Sequence, residues 1–336
     1  MRHPAWYLFA AVLLLPVLST GAFGQIECTG SANPGDPLFV LVRAPAAVES
    51  LEISLADDSG GVICALPGFQ IDSPAASTLD VAPRDTPAGS IYAALLGIPS
   101  RAVPGTYLVR ARGRGGDTAF GFSHELVLRN KRFAFEIIPL DQRLMDILKR
   151  PDPRKTREAR ELRELLSVYR PESVFHVEPF ILPVERDFRT AGFADRREYA
   201  FPNGHASHSV HNGLDFGLVT GTPVYACARG RVVFARDRIT TGGTVVIEHL
   251  PGVYSLYFHL SVYRVEEGEI VEQGRRIADV GSTGLSTAAH LHWEIRAGGV
   301  AVDPDAFRTT ETLDMGRLSD VVLPSDGTPR KGGDTP

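Results

Sequence analysis

Seven of the chain's ten histidines, His205, His208, His211, His249, His259, His290 and His292, fall within one stretch of fewer than ninety residues. His211-Asn-Gly-Leu-Asp215 sets an imidazole and a carboxylate four residues apart, and His290-Leu-His292 sets two imidazoles two apart. On an extended strand both spacings are even, so each pair projects from one face. Two such strands side by side would offer three or four nitrogen and oxygen donors to one point. Donors of that type, with no thiolate among them, suit a zinc site that keeps a position open for water or substrate. His259, in the strand-like run Tyr257-Phe258-His259-Leu260, is the natural extra member. No His-Glu-x-x-His helix is present, so a helical site with a glutamate base is excluded and the proton work falls to histidines. His249, between Glu248 and Leu250, reads as a structural residue at a strand end. His205 and His208, in the Asn203-Gly204 loop, read as solvated residues at the border of the site.

The elements that must carry these residues are strands. Thr244 to His249, Tyr254 to Leu260, Arg276 to Val280 and His290 to Arg296 are β-rich, and glycines such as Gly213, Gly230, Gly242, Gly268 and Gly281 punctuate them as hairpins require. A second strand-rich region precedes them. Leu38–Val42, Leu51–Leu55, Ile91–Leu96, Thr106–Arg110 and His124–Leu128 alternate with Gly/Pro/Asp turns, which fits an antiparallel, immunoglobulin-like sandwich. Between the two regions, Asp141 to Arg150, a Pro151-Asp152-Pro153 break and Lys155 to Tyr169 read as a helix-break-helix connector. In its second helix Ala159, Leu162, Leu165, Leu166 and Tyr169 fall at helical spacing. The expected fold is therefore mainly β. Its expected division is 25–135 for the sandwich, 136–178 for the connector, 179–307 for the histidine-bearing domain and 308–336 for a disordered tail.

Composition bounds the function. The 336 residues are 43% hydrophobic and 22% charged, ordinary for a globular chain of two domains. A net charge of -5 supplies no basic footprint, so nucleic acid is excluded as a first partner. Residues 1–24 carry Arg2 and His3, an apolar run from Leu8 to Leu18 and a small-residue end. The run is too short to span a bilayer and suits a secretory signal cleaved after Gly24, so the mature chain is expected to have no stable membrane span and to be periplasmic or secreted. In an oxidising compartment Cys28 and Cys64 could pair, while Cys227 reads as a buried small hydrophobe.

Read in order, several stretches resemble the lysostaphin-type zinc endopeptidases of bacterial cell walls, whose fold is the duplicated hybrid motif, an antiparallel β-sheet groove. They are His211-Asn-Gly-Leu-Asp215, Gly221-Thr-Pro-Val224, Gly230-Arg-Val232, Val246-Ile-Glu-His249, Leu256-Tyr-Phe-His-Leu-Ser261, Val280-Gly-Ser-Thr-Gly284 and His290-Leu-His-Trp-Glu-Ile295. The resemblance covers about residues 180–307. Carried over position by position, it implies His211, Asp215 and His292 as zinc ligands and His259 and His290 as the catalytic pair. Glu294 shares strand parity with His290 and His292 and suggests a partner for a ligand, or a plain salt bridge. Ala191-Gly-Phe-Ala-Asp-Arg-Arg197 and Pro202-Asn-Gly204 match the family's upstream turn only loosely. The segment with Ala94 to Pro99 and Pro104 to Tyr107 is similar to a β-sandwich that precedes the peptidase in some exported members, where it would position the enzyme on murein or restrain its groove.

The resemblance thus implies an exported zinc metalloendopeptidase acting on the peptide stems of peptidoglycan. The alternative from another class is a murein-binding or amidase-activating scaffold of the same fold. Degenerate scaffolds typically lack a ligand, and this chain has all three. The N-terminal module, or the loop with Asn203, His205 and His208, would be the element to cover the open metal position if the enzyme is latent.

Overall fold

The structure is a computed structural model that describes residues 25–44, 48–71, 90–116 and 118–309. The expected signal peptide and the expected tail beyond residue 309 lie outside the described residues.

Strand residues alternate between two faces, and the chain uses both faces of its first sheet. That sheet orders Gln25–Glu27, Pro37–Ala44, Ser90–Gly97 and Phe69–Gln70. A second sheet orders Ser31–Ala32, Thr118–Leu128, Gly105–Gly115, Ser50–Ala56 and Val62–Pro67, antiparallel except for its first pair. Leu38, Val40, Val42 and Leu96 of the first sheet share a core with Ile53, Leu55 and Val109 of the second. The opposite parity, Leu41, Ile91, Ala93 and Leu95, joins the core of the C-terminal domain. Burial on both faces explains why Ile91 to Leu96 is a continuous apolar run rather than an alternating one. Cys28 and Cys64 are not joined by a disulfide in this structure.

Helix α1 spans Gln142–Lys149, with the Asp141 carboxylate accepting from the Leu144 N–H at 2.8 Å. Helix α2 spans Pro153–Leu166, where Pro153 opens the first turn and Asp152 caps it. Its Leu162, Leu165 and Leu166 pack on Phe234, Tyr254 and Leu256. The region expected to be purely helical also contains a strand. Phe135–Pro139 pairs in parallel with Arg196–Ala200, which pairs with Ala206–Val210. A partner some sixty residues ahead leaves no trace in a local pattern.

The C-terminal domain is built on a ten-stranded antiparallel sheet whose main path runs Arg189–Ala191, Leu214–Phe216, Leu291–Ala297, Val253–Tyr263, Gly242–Leu250, Gly230–Arg238 and Ile270–Val271. The histidine-bearing Leu291–Ala297 strand lies centrally, between Leu214–Phe216 and Val253–Tyr263. Its odd positions Leu291, Trp293, Ile295 and Ala297 are fully buried in the core. Its even positions, His292, Glu294 and Arg296, are thereby committed to the other face.

Candidate metal centre

Register brings the expected ligands together. Asp215 stands directly opposite His292 across the Leu214–Phe216 and Leu291–Ala297 pair. Gly213 makes the approach possible, because a Cβ there would lie 2.2 Å from the Trp293 carbonyl oxygen. His211 is held by the turn before it. Its N–H donates to Asp195 O at 2.9 Å, its carbonyl accepts from the Ala194 N–H at 2.7 Å, and its Nδ1 lies 2.6 Å from Gly192 O.

Three atoms converge. Asp215 Oδ1 is 3.0 Å from His211 Nε2 and 2.7 Å from His292 Nδ1, and the two nitrogens are 2.9 Å apart. The outer contacts determine what those atoms are. A carbonyl can only accept, so His211 Nδ1 donates to Gly192 and Nε2 carries a lone pair. His292 Nε2 lies 2.9 Å from the Glu294 carboxylate and donates to it, which leaves a lone pair on Nδ1. With neutral rings, two lone pairs and a carboxylate oxygen face one another in a buried space, an arrangement that is repulsive unless a positive charge, a proton or a metal ion, sits among them. The set N, N, O with outward N–H groups anchored to a carbonyl and a carboxylate fits zinc with one position left open.

The charges around the site agree. Burial would push the Asp215 carboxyl up, but positive charge at its His211 and His292 contacts, whether an imidazole proton or a bound cation, holds it well below the usual carboxylate range. Glu294 is likewise opposed by burial, yet the neighbouring Arg296, whose Nε lies 2.7 Å away, and His292 bring it down to about 2. Glu294 is thus both members of its earlier alternative, a partner of a ligand and one half of an ion pair.

His259 and His290 stand beside this cluster, their ring centroids 4.6 Å apart. His259 Nδ1 lies 2.7 Å from Thr283 O and His290 Nδ1 lies 2.8 Å from Ala288 O, so each ring turns an unprotonated Nε2 toward the groove. Burial first, then the neighbouring histidines, lowers His259 to about 3, and burial also lowers His290. Phe258 stacks on His292 with 5.2 Å between centroids and 2° between planes. In a regular strand the next residue would face away from the groove. His259 instead has φ +61, a left-handed value that breaks the alternation and lets successive residues line one cavity.

The cavity over the cluster encloses about 460 Å³. Its lining includes His259, His290 and Thr241 together with Ile138, Leu144 and Tyr199 from the connector strand, α1 and the Arg196–Ala200 strand. Its lining residues include none from the two N-terminal sheets, and none of Asn203, His205 and His208, so neither candidate cover for the open position lies over it among the described residues. His208 lies on the Ala206–Val210 strand rather than in a loop, and both it and His205 are exposed. His249 is structural and fully buried, with Nδ1 2.8 Å from Arg229 O and Nε2 2.7 Å from Ser255 Oγ.

One site residue escaped the sequence reading. Arg197 Nη2 lies 2.7 Å from Asp215 Oδ2, so the carboxylate gives one oxygen to the cluster and the other to the guanidinium. The only sequence signal was its place in the loosely matching turn.

Residues 209–304 match peptidase family M23. Among curated proteins, the peptidoglycan DD-endopeptidase ShyB of Vibrio cholerae is 35% identical over 123 residues, 36% of this chain and 28% of that one. The DD-carboxypeptidase/endopeptidase Mpg of Neisseria meningitidis is 41% identical over 109 residues, 31% of this chain and 25% of that one. The chain therefore matches only about a quarter of the length of these relatives. A crystal structure described as a peptidase M23 from Pseudomonas aeruginosa has a TM-score of 0.50 at 20% identity, covering 82% of this chain and 93% of that chain, and shares the fold. All five expected site residues fall inside the matched segment, so residues 209–304 form a peptidase family M23 domain.

Proposed function

We propose that this protein is an exported zinc metalloendopeptidase that hydrolyses peptide cross-links of bacterial peptidoglycan. The observation that carries the reading is the convergence of His211 Nε2, Asp215 Oδ1 and His292 Nδ1 beside two histidines that turn free Nε2 atoms to the same groove. Zinc held by His211, Asp215 and His292 would supply Lewis acidity, polarising the scissile carbonyl and making a water acidic enough to attack it.

The chain's own groups do the rest. His259 and His290 arrive neutral, each with its Nδ1–H spent on a backbone carbonyl, so each Nε2 can accept a proton as the nucleophile forms. Once protonated, the same nitrogen can donate to the developing oxyanion or to the leaving amine. Both roles are open to either ring, since the two are anchored alike. The apolar lining of Ile138, Leu144 and Tyr199 gives a peptide stem a surface to lie on while its scissile bond faces the histidines.

The test is a purified-murein digest with the zinc-loaded full chain. His290→Ala and His259→Ala are expected to keep the metal and lose about 10²–10⁴-fold in turnover, the range for a lost general acid or base. His211→Ala is expected to lose the metal as well. Release of new amines by chelator-treated enzyme or by His211→Ala at the wild-type rate would sink the reading. A wild type that binds zinc and releases nothing would instead support a murein-binding scaffold.

A further inference from the structure

We propose that the N-terminal sandwich is a working part of the metal centre: it clamps the Gly192–Arg197 turn, and that turn orients the ligands His211 and Asp215. The inference rests on the zinc-site reading above and adds to it a residue that touches neither metal ligand nor groove, Arg196.

The two domains are fused rather than tethered, since Leu41, Ile91, Ala93 and Leu95 belong to the same core as Ile295, Ala297, Val302 and Phe307. At the rim of that interface the sandwich grips the turn. Arg196 Nη2 donates to the carbonyl of Ser100 at 2.7 Å, and its guanidinium carbon lies 4.8 Å from the centre of the Phe133 ring. Phe133 meets Phe193 edge-on at 6.4 Å, and Phe193 is pressed so closely on Gly35 that a Cβ there would lie 2.5 Å from its ring. The Arg196 N–H donates to Ala134 O at 2.8 Å, which fixes the backbone as well.

From this clamp two short paths reach the metal centre. Gly192 is tied to Asp195 by an N–H to carboxylate bond of 2.8 Å, and its carbonyl is the acceptor that orients the His211 ring. Ala194, buried and at φ +62, is held in a left-handed conformation by its bond to His211 O. A non-glycine residue keeps such a φ only where its surroundings enforce it. Along the strand, Arg196 and Arg197 project to opposite sides, so the residue next to the clamp is the one whose guanidinium holds Asp215 Oδ2. Release of Arg196 therefore frees both the carbonyl behind His211 and the cation behind Asp215.

Arg196 is accordingly a positioning residue, and zinc affinity is the readout. In the full chain, Arg196→Ala and Phe133→Leu are expected to weaken zinc binding, measured by chelator competition well below the unfolding temperature, by at least about tenfold, the low end for loss of an outer partner of a ligand. Arg196→Lys is expected to recover part of the loss. Cobalt substituted for zinc should show an altered visible spectrum in Arg196→Ala, because ligand geometry has changed. Leu55→Ala, which loosens the core between the two N-terminal sheets and not the one that holds Phe193 and Ala194, is the control for stability alone and is expected to leave affinity within about threefold, below the range for an outer-partner loss. Folded Arg196→Ala and Phe133→Leu proteins with wild-type zinc affinity would overturn the proposal, and if Arg196→Ala does not fold, Arg196→Lys and Phe133→Leu decide by the same criterion. A wild type that binds no zinc overturns this inference and the zinc-site reading together. A wild type that binds zinc and leaves murein uncut overturns the function alone, and the affinity comparison still decides the clamp.

Discussion

His249 makes the stability of the peptidase domain depend on pH in a window that can be calculated. Its ring is fully buried, lies 5.0 Å from the Phe180 ring, and has both nitrogens engaged by Arg229 O and Ser255 Oγ. Burial pushes it down to about 3, against about 6.5 for an unfolded histidine. Because the folded value lies below the unfolded one, the unfolded chain takes up the proton first. Stability from the neutral ring is therefore complete above about pH 6.5 and is lost as pH falls toward 3. A gap of about 3.5 units corresponds to roughly 5 kcal/mol in total, of which about 2 kcal/mol is already lost at pH 5. The perturbation is acidification from pH 7 to pH 5 in wild type and in His249→Gln, which cannot titrate. Urea unfolding can be followed by the fluorescence of buried Trp293, since the chain's other tryptophan, Trp6, lies in the expected leader. All other ionisable groups are common to the two proteins and cancel in the difference. Wild type should lose about 2 kcal/mol more than the variant over that interval. Equal losses in the two proteins would refute the argument that burial keeps His249 neutral.

Three further outcomes are expected. Glu294→Gln removes the carboxylate that holds His292 Nε2 at 2.9 Å, and zinc affinity by chelator competition should fall about 10–100-fold; an unchanged affinity would mean that the strand alone orients the ring. Gly213→Ala sets a methyl 2.2 Å from the Trp293 carbonyl oxygen, where backbone on both sides cannot yield, and thermal unfolding should show a loss of about 1–3 kcal/mol together with weakened metal binding. Leu95→Ala in the core shared by the two domains should cost about 2–5 kcal/mol, whereas Val103→Ala, at a side chain 70% exposed, should stay within about 0.5 kcal/mol in the same denaturation assay.

Much of the site is legible in the chain because strand parity is a local property. His292 and Glu294 share a face while Leu291, Trp293 and Ile295 take the other, and the alternation of polar and apolar residues states this without any partner strand. The helix-break-helix of the connector is equally local, written in Asp141, the Pro151-Asp152-Pro153 break and the leucines of α2. The resemblance adds which of these residues belong to one site, and the five expected residues do meet in one groove. Other features lie beyond such reasoning. His259 faces the groove only through a left-handed backbone, and a run such as Tyr-Phe-His-Leu gives no sign of it. The parallel pairing of Phe135–Pro139 with Arg196–Ala200 joins segments that share no pattern.

What the amino-acid order determined by itself is therefore the chemistry of the donors and their parity on each strand. Both follow from side-chain type and from the two-residue repeat of an extended chain. The tertiary structure alone decided the register that sets Asp215 opposite His292, the Gly192 carbonyl and Arg197 guanidinium that leave lone pairs facing inward, and the docking of the sandwich against the turn that carries them. These depend on contacts between residues distant in the chain, where the free energy of a contact is shared by two segments and neither one encodes it alone.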